Sequence, residues 1–123
     1  SIVNRKMGFK FEDLRVWQMA SDISAEIDEL TFSFPKREEY VLSPQIRRAA
    51  DSIALNIAEG STGQSNAEFK RFLGISLRSA IEVIACLHLG KKRNVISEDN
   101  FTLFYNKITI LIKSIQALRN TLK

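Results

Sequence analysis

The side chains best able to ligate a metal or attack a substrate are histidine and cysteine, and this chain has one of each, His88 and Cys86. Two positions apart on a helix, they point about 200° apart and cannot close on one ion. A zinc centre needs about four Cys, His or acidic ligands. A di-iron bundle needs Glu-x-x-His pairs, whereas the residue three before His88 is Ala85. No metal or cofactor is therefore expected, and both residues read as packing at a helix edge. His88 has no nucleophile motif such as Gly-x-Ser-x-Gly beside it. The run Gly60-Ser61-Thr62-Gly63 lacks the Gly-Lys-Ser/Thr of a phosphate loop and follows a helical segment, so it reads as a connector. With no acid–base pair or nucleophile standing out, the sequence points to binding rather than catalysis.

Polar residues at helical spacing say more. Gln45, Arg48, Ser52, Asn56 and Glu59 fall on one strip, within about 80° of one another on a helix. A strip beside an apolar face is either a binding groove or an inter-helix network that fixes register. The network is favoured, because an unpaired polar group at a seam costs about 1–3 kcal/mol. Arg48 is then expected to pair with Glu82, and Asn56 to bond to Ser76 or Ser79.

A second set is cationic: Lys70, Arg71, Arg78, Lys91, Lys92 and Arg93 could neutralise phosphates. Charge is unevenly placed. Residues 1–60 hold 8 Lys/Arg and 10 Asp/Glu, a net −2, and residues 61–123 hold 10 and 4, a net +6. The bland alternative is a solvated basic surface. Aromatic interleaving, which a single-strand binder wants, is missing nearby, since Phe69 and Phe72 fall on an apolar face.

Four helices must position these residues. The first runs from about Glu12 to Phe32, with Val16, Met19, Ala20, Ile23, Ile27 and Leu30 on one face and Glu12 and Asp13 in its first turn. Phe34-Pro35 stops it, and Pro35-Lys36-Arg37-Glu38 could wind one further turn. The second opens with Ser43 as N-cap and Pro44 at the first helical position, buries Ile46, Ala49, Ala50, Ile53, Ala54 and Ile57, and ends at a left-handed Gly60. The third starts with Ser65 and Glu68 as a capping box and continues to about Lys92 through Phe69, Phe72, Leu73, Leu77, Ala80, Val83, Ile84 and Leu87. Ser97 caps the fourth, whose stripe is Phe101, Phe104, Tyr105, Ile108, Leu111, Ile112, Ile115, Leu118 and Leu122. Short connections join antiparallel neighbours. The fold class is thus all-α, an antiparallel up-and-down four-helix bundle over residues 12–123, after a flexible N-terminal segment of residues 1–11.

Some apolar residues are left over. Leu103, Ile110 and Ala117 lie seven apart on the face of the fourth helix opposite its stripe, and Ile75, Cys86 and Leu89 fall outside the core arc of the third, with Ser79 between them. Two aligned stripes suggest a contact between copies of the chain, and repetition of one contact closes into a ring when the rotation allows.

At 123 residues, 45% hydrophobic and 26% charged, the chain has the composition of a single globular domain. No continuous apolar run approaches the roughly 18 residues that cross a bilayer, and Ser1 to Lys10 has no apolar stretch of a secretory signal. One cysteine cannot form an intrachain disulfide, which agrees with a reducing compartment. A cytoplasmic location without membrane contact is expected, and there the Asn100-Phe101-Thr102 glycosylation match is meaningless.

Several of these segments together resemble a known family. They are Phe11-Glu12-Asp13-Leu14-x-Val16-Trp17-Gln18, Phe34-Pro35-x-x-Glu38-x-Tyr40-x-Leu42, Gln45-x-x-Arg48-Ala49-Ala50-x-Ser52-Ile53-x-x-Asn56-Ile57-Ala58-Glu59-Gly60, Glu68-Phe69-x-x-Phe72-Leu73 and Ser79-Ala80-x-Glu82. Nearly the whole chain from Phe11 is similar to the bacterial four-helix-bundle proteins encoded in intervening sequences of 23S ribosomal RNA genes, which an older name treats as ribosomal proteins. The resemblance implies the bundle fold, no enzymatic activity, and kinship with the accessory proteins of diversity-generating retroelements. Those assemble as pentameric barrels and bind nucleic acid and a reverse transcriptase. Two classes of function follow: a homo-oligomeric RNA- or DNA-binding accessory protein, or a protein–protein scaffold without nucleic-acid contact.

Overall fold

Residues 8–63 and 65–123 are described by a computed structural model. Its elements are α1 (Arg15–Thr31), α2 (Leu42–Ser61), α3 (Asn66–Lys92) and α4 (Glu98–Thr121), with short 3₁₀ turns at Lys10–Asp13 and Lys36–Glu38. The apolar stripes close on one another. Ile27, Ile46, Ile57, Leu73, Leu87, Ile108, Leu111 and Ile115 are fully buried. Polar pairs across the seams record the up-and-down order. Ser24 bonds to Asp51 between α1 and α2, Ser79 to Ser52 between α3 and α2, Arg119 to the Lys70 carbonyl between α4 and α3, and Lys107 to Glu26 between α4 and α1. Of the four neighbouring pairs of helices, α2 and α3 pack most extensively and α1 and α4 least. Toward α3 the second helix presents small residues, Gly60 against Phe69 and Phe72 and Ser52 against Ser79, which let the two helices approach.

Several boundaries differ from the sequence expectation. Helix α1 begins at Arg15, and Glu12 and Asp13 belong to the preceding 3₁₀ turn. Helix α2 begins at Leu42 with no side-chain cap, so Ser43 is a buried residue inside it and Pro44 occupies the third helical position. Proline fits there because the first four amides of a helix lack intrahelical partners. The Leu42 amide instead donates to Glu38 Oε1 at 3.3 Å. Gly60 lies within α2 rather than closing it; a β-carbon there would stand 2.6 Å from Phe72 Cβ. Close approach of α3, not a left-handed turn, requires the glycine. Ser65 and Ser97 cap as expected, accepting from the amides of Glu68 and Asn100. Glu68 turns its side chain to Arg71, which leaves only half of the capping box.

By length and composition α3 is apolar enough to cross a bilayer, with a mean hydropathy of 1.6 over its most apolar stretch. Here it is a bundle helix: its buried Ser76 and Ser79 donate to the Ile53 carbonyl and the Ser52 hydroxyl of α2. Residues 1–7 of the expected N-terminal segment lie outside the described residues. Of the rest, Phe11 packs edge-on against Trp17 at 4.8 Å, and the Lys10 ammonium stands 5.4 Å from the Phe69 ring centroid.

Candidate nucleic-acid interface

The polar strip of α2 makes a network, with partners other than those expected. Gln45, not Arg48, reaches Glu82, at 3.0 Å. Asn56 donates within its own helix, to the Ser52 carbonyl at 2.8 Å and the Ser52 hydroxyl at 3.0 Å. Ser52 is therefore the residue that meets α3, accepting from Ser79 at 2.8 Å. Arg48 and Glu59 are exposed. A period of 3.6 residues fixes which residues share a strip but not the rotation of one helix against the next. That rotation decides the pairs.

Among the expected phosphate-binding residues, Arg93 has other work. Its guanidinium lies 3.1 Å from Glu38 Oε1, and Glu38 is buried between the α1–α2 connection and the end of α3. Arg37 approaches the same carboxylate at 3.8 Å and donates to the Arg93 carbonyl at 3.3 Å. Arg71 is bound to Glu68 at 3.0 Å, which holds that carboxyl below and the guanidinium above its ordinary range, chiefly through the hydrogen bond. Lys91 lies 3.6 Å from Glu98. Arg78 and Lys92 are exposed and form no ion pair among the described residues.

Lys70, Arg78, Lys91 and Lys92 border one surface, the outer side of the α3–α4 seam, whereas Arg93 lies in the α2–α3 cleft with Gln45 and Cys86. Lys70, Gly74, His88 and Lys91 of α3 touch α4, and helical spacing puts Arg78 and Ile81 in the same row. Helix α4 adds Lys113, exposed and without an ion pair among the described residues, and the half-buried Arg119. After Asp99 the sequence has no carboxylate, and α3 has only Glu68 and Glu82. Glu82 turns toward α2. The middle of this face is thus free of acidic side chains. Lys113 was not among the residues expected to bind, although the carboxylate-free run from Asn100 to Lys123 is plain in the sequence.

Aromatic side chains stand at one end of the seam, contrary to expectation. Tyr105, expected in the core stripe, is 40% exposed. It meets exposed His88 with ring centroids 6.3 Å apart, and buried Phe101 lies 4.9 Å from His88 and 5.6 Å from Tyr105. Phe72 is half-buried, with the Arg71 guanidinium 4.5 Å from its ring centroid.

The two leftover stripes fare differently. Leu103, Ile110 and Ala117 are exposed, Leu103 and Ile110 at 47% and 57%. On α3, Leu89 is exposed and Ile75 half-buried, but Cys86 belongs to the core at 2% exposure. It faces the α2 side, where Leu42 and Gln45 line the same cleft. Burial, and secondarily the Glu82 charge, pushes its thiol from 9.0 to about 11, so it is a packing residue.

Residues 12–117 match the protein family described as 23S rRNA-intervening sequence protein. A crystal structure from Bacteroides thetaiotaomicron, of a protein with unknown function from the S23 ribosomal protein family, superposes with a TM-score of 0.76 at 26% identity, covering 85% of this chain and 97% of that one. No curated protein matches the sequence.

Proposed function

The chain belongs to the 23S rRNA-intervening sequence protein family, and we propose that it is a non-enzymatic, homo-oligomeric accessory protein that binds RNA or DNA. The observation that carries this reading is the α3–α4 face. Arg78, Lys92 and Lys113 are exposed there without acidic partners, and no carboxylate interrupts α4 after Asp99. Cations not neutralised by neighbours are the ones that release counterions on meeting phosphates. Self-association is supported by Leu103 and Ile110, exposed on the α1 side of α4, whose contact with α1 is the least extensive of the four between neighbouring helices. Five copies, and a reverse transcriptase as protein partner, are proposed from what the family resemblance implies about retroelement accessory proteins. The compartment proposed is the cytoplasm, without membrane contact.

A protein–protein scaffold is the second reading. Phe32, Tyr40 and Val41, at 75%, 86% and 55% exposure, flank the α1–α2 connection and favour a protein ligand at that end of the bundle. Retention of labelled RNA by the parent protein at about 50 mM salt separates the two. Binding that weakens as salt rises supports the first reading, and no retention leaves the scaffold.

A further inference from the structure

We propose that His88 and Tyr105, backed by Phe101, form a stacking platform for an unpaired nucleobase, so that this face takes single-stranded RNA or DNA in preference to duplex. The inference rests on the nucleic-acid reading above. Its starting point is spacing: Phe101 and Tyr105 are four apart on α4 and share a side, and antiparallel packing brings His88 of α3 against both. Phe101 is 8% exposed and serves as the floor. It meets the His88 ring edge to face at 66° and the Tyr105 ring at 34°. The two outer rings are thereby held in place while remaining open to solvent, so little side-chain freedom is lost when a planar ligand lands on them.

Charge is placed to match. The Lys91 ammonium stands 3.8 Å from the Phe101 centroid and is tied to Glu98, so it supports the floor. Lys92 next to it is exposed and free of ion pairs among the described residues, available for the phosphate beside a stacked base. From His88, the row along α3 reaches Arg78 within about 15 Å at 1.5 Å per residue, without a carboxylate in the row. A backbone leaving the platform runs onto further cations. Duplex bases already stack on each other and offer such rings no free face. An unpaired strand offers a π-face from every base.

The test is fluorescence anisotropy at about 50 mM salt with two labelled RNAs, an oligouridylate and a mixed-sequence duplex, each about 20 residues long. The parent should bind the single strand more tightly. Tyr105→Ala and His88→Ala should each weaken single-strand binding by about 5- to 150-fold, the range for loss of one stacked base, and leave duplex binding within about twofold. Tyr105→Phe should retain parental affinity, which separates stacking from a hydroxyl contact. Thermal melts like the parent's confirm that each variant is folded, and His88→Ala, at an exposed residue outside the core, serves if Tyr105→Ala melts early. Equal affinity for both RNAs, with neither alanine variant affecting either, would overturn the platform and leave a purely charge-driven face. Failure of the parent to retain either RNA overturns both this inference and the proposed function.

Discussion

Glu38 is a carboxylate at 4% exposure with its oxygens engaged by the Leu42 amide and the guanidinium of Arg93. Removing one partner of a fully buried pair costs about 3–5 kcal/mol. Arg93 is itself 40% exposed, and Arg37 remains nearby, so the smaller range of about 1–3 kcal/mol applies to Arg93→Ala. Urea unfolding should report that loss. In a Glu38→Gln background, which keeps an acceptor but no charge, the same substitution should cost less than about 1 kcal/mol; equal costs in both backgrounds would deny the pairing. Cys86 sets a pH dependence. Its folded pKa of about 11 lies above the ordinary 9.0, so the folded state keeps a proton that the unfolded chain sheds. Its contribution is whole below about pH 9 and is lost as the pH rises toward 11. Cys86→Ala should therefore lose stability less steeply than the parent across that window in a pH series of denaturant melts. At this scale the sequence was least legible. It located Gln45, Ser52, Asn56 and Glu82 on the right strips, yet gave Glu82 to Arg48, because spacing along one helix carries no information about the rotation of its neighbour.

Helices were far more legible than their ends. The core residues of α1 and α2 follow from spacing alone, since apolar side chains at three- and four-residue steps must share a face. Starts marked by a single serine before acidic residues also held, at Ser65 and Ser97. The Ser43-Pro44 start did not, because Glu38, four residues before Leu42, reaches back through space to take the amide that a local cap would have served. Substitution by alanine distinguishes the cases. Ser65→Ala and Ser97→Ala should each lower stability by about 1 kcal/mol, and Ser43→Ala by less, since its hydroxyl caps no helix. Gly60→Ala is the sharper test of packing. Helix propensity alone would favour alanine by about 1 kcal/mol. Contact with Phe72 Cβ at 2.6 Å demands that α2 and α3 separate, and overpacking of that kind costs about 1–3 kcal/mol. A lowered melting temperature is expected; a raised one would mean that α3 yields freely.

For the molecule as a whole, the fold was legible because four uninterrupted stripes joined by short connections admit few arrangements. The face proposed for binding was only half legible: the cations of α3 stood out, while Lys113 and the rings of His88 and Tyr105 became a surface only when α4 was laid against α3. Self-association belongs to this scale too. Leu103→Glu with Ile110→Glu leaves the core untouched, since both side chains are exposed, and should give a smaller species in light scattering with unchanged helicity. A parent already monomeric at micromolar concentration would contradict the oligomer. Nucleic-acid binding by the α3–α4 face is tested most directly by the salt dependence of RNA affinity in the parent and in Arg78→Glu with Lys113→Glu. Each phosphate neutralised on a single strand contributes about −0.7 to the slope of log affinity against log salt. The parent should show a steep negative slope and the double variant a weaker affinity with a slope flatter by about 1.4, two phosphates fewer. A parental slope unchanged by the double variant would place any binding elsewhere on the molecule and contradict the assignment of this face.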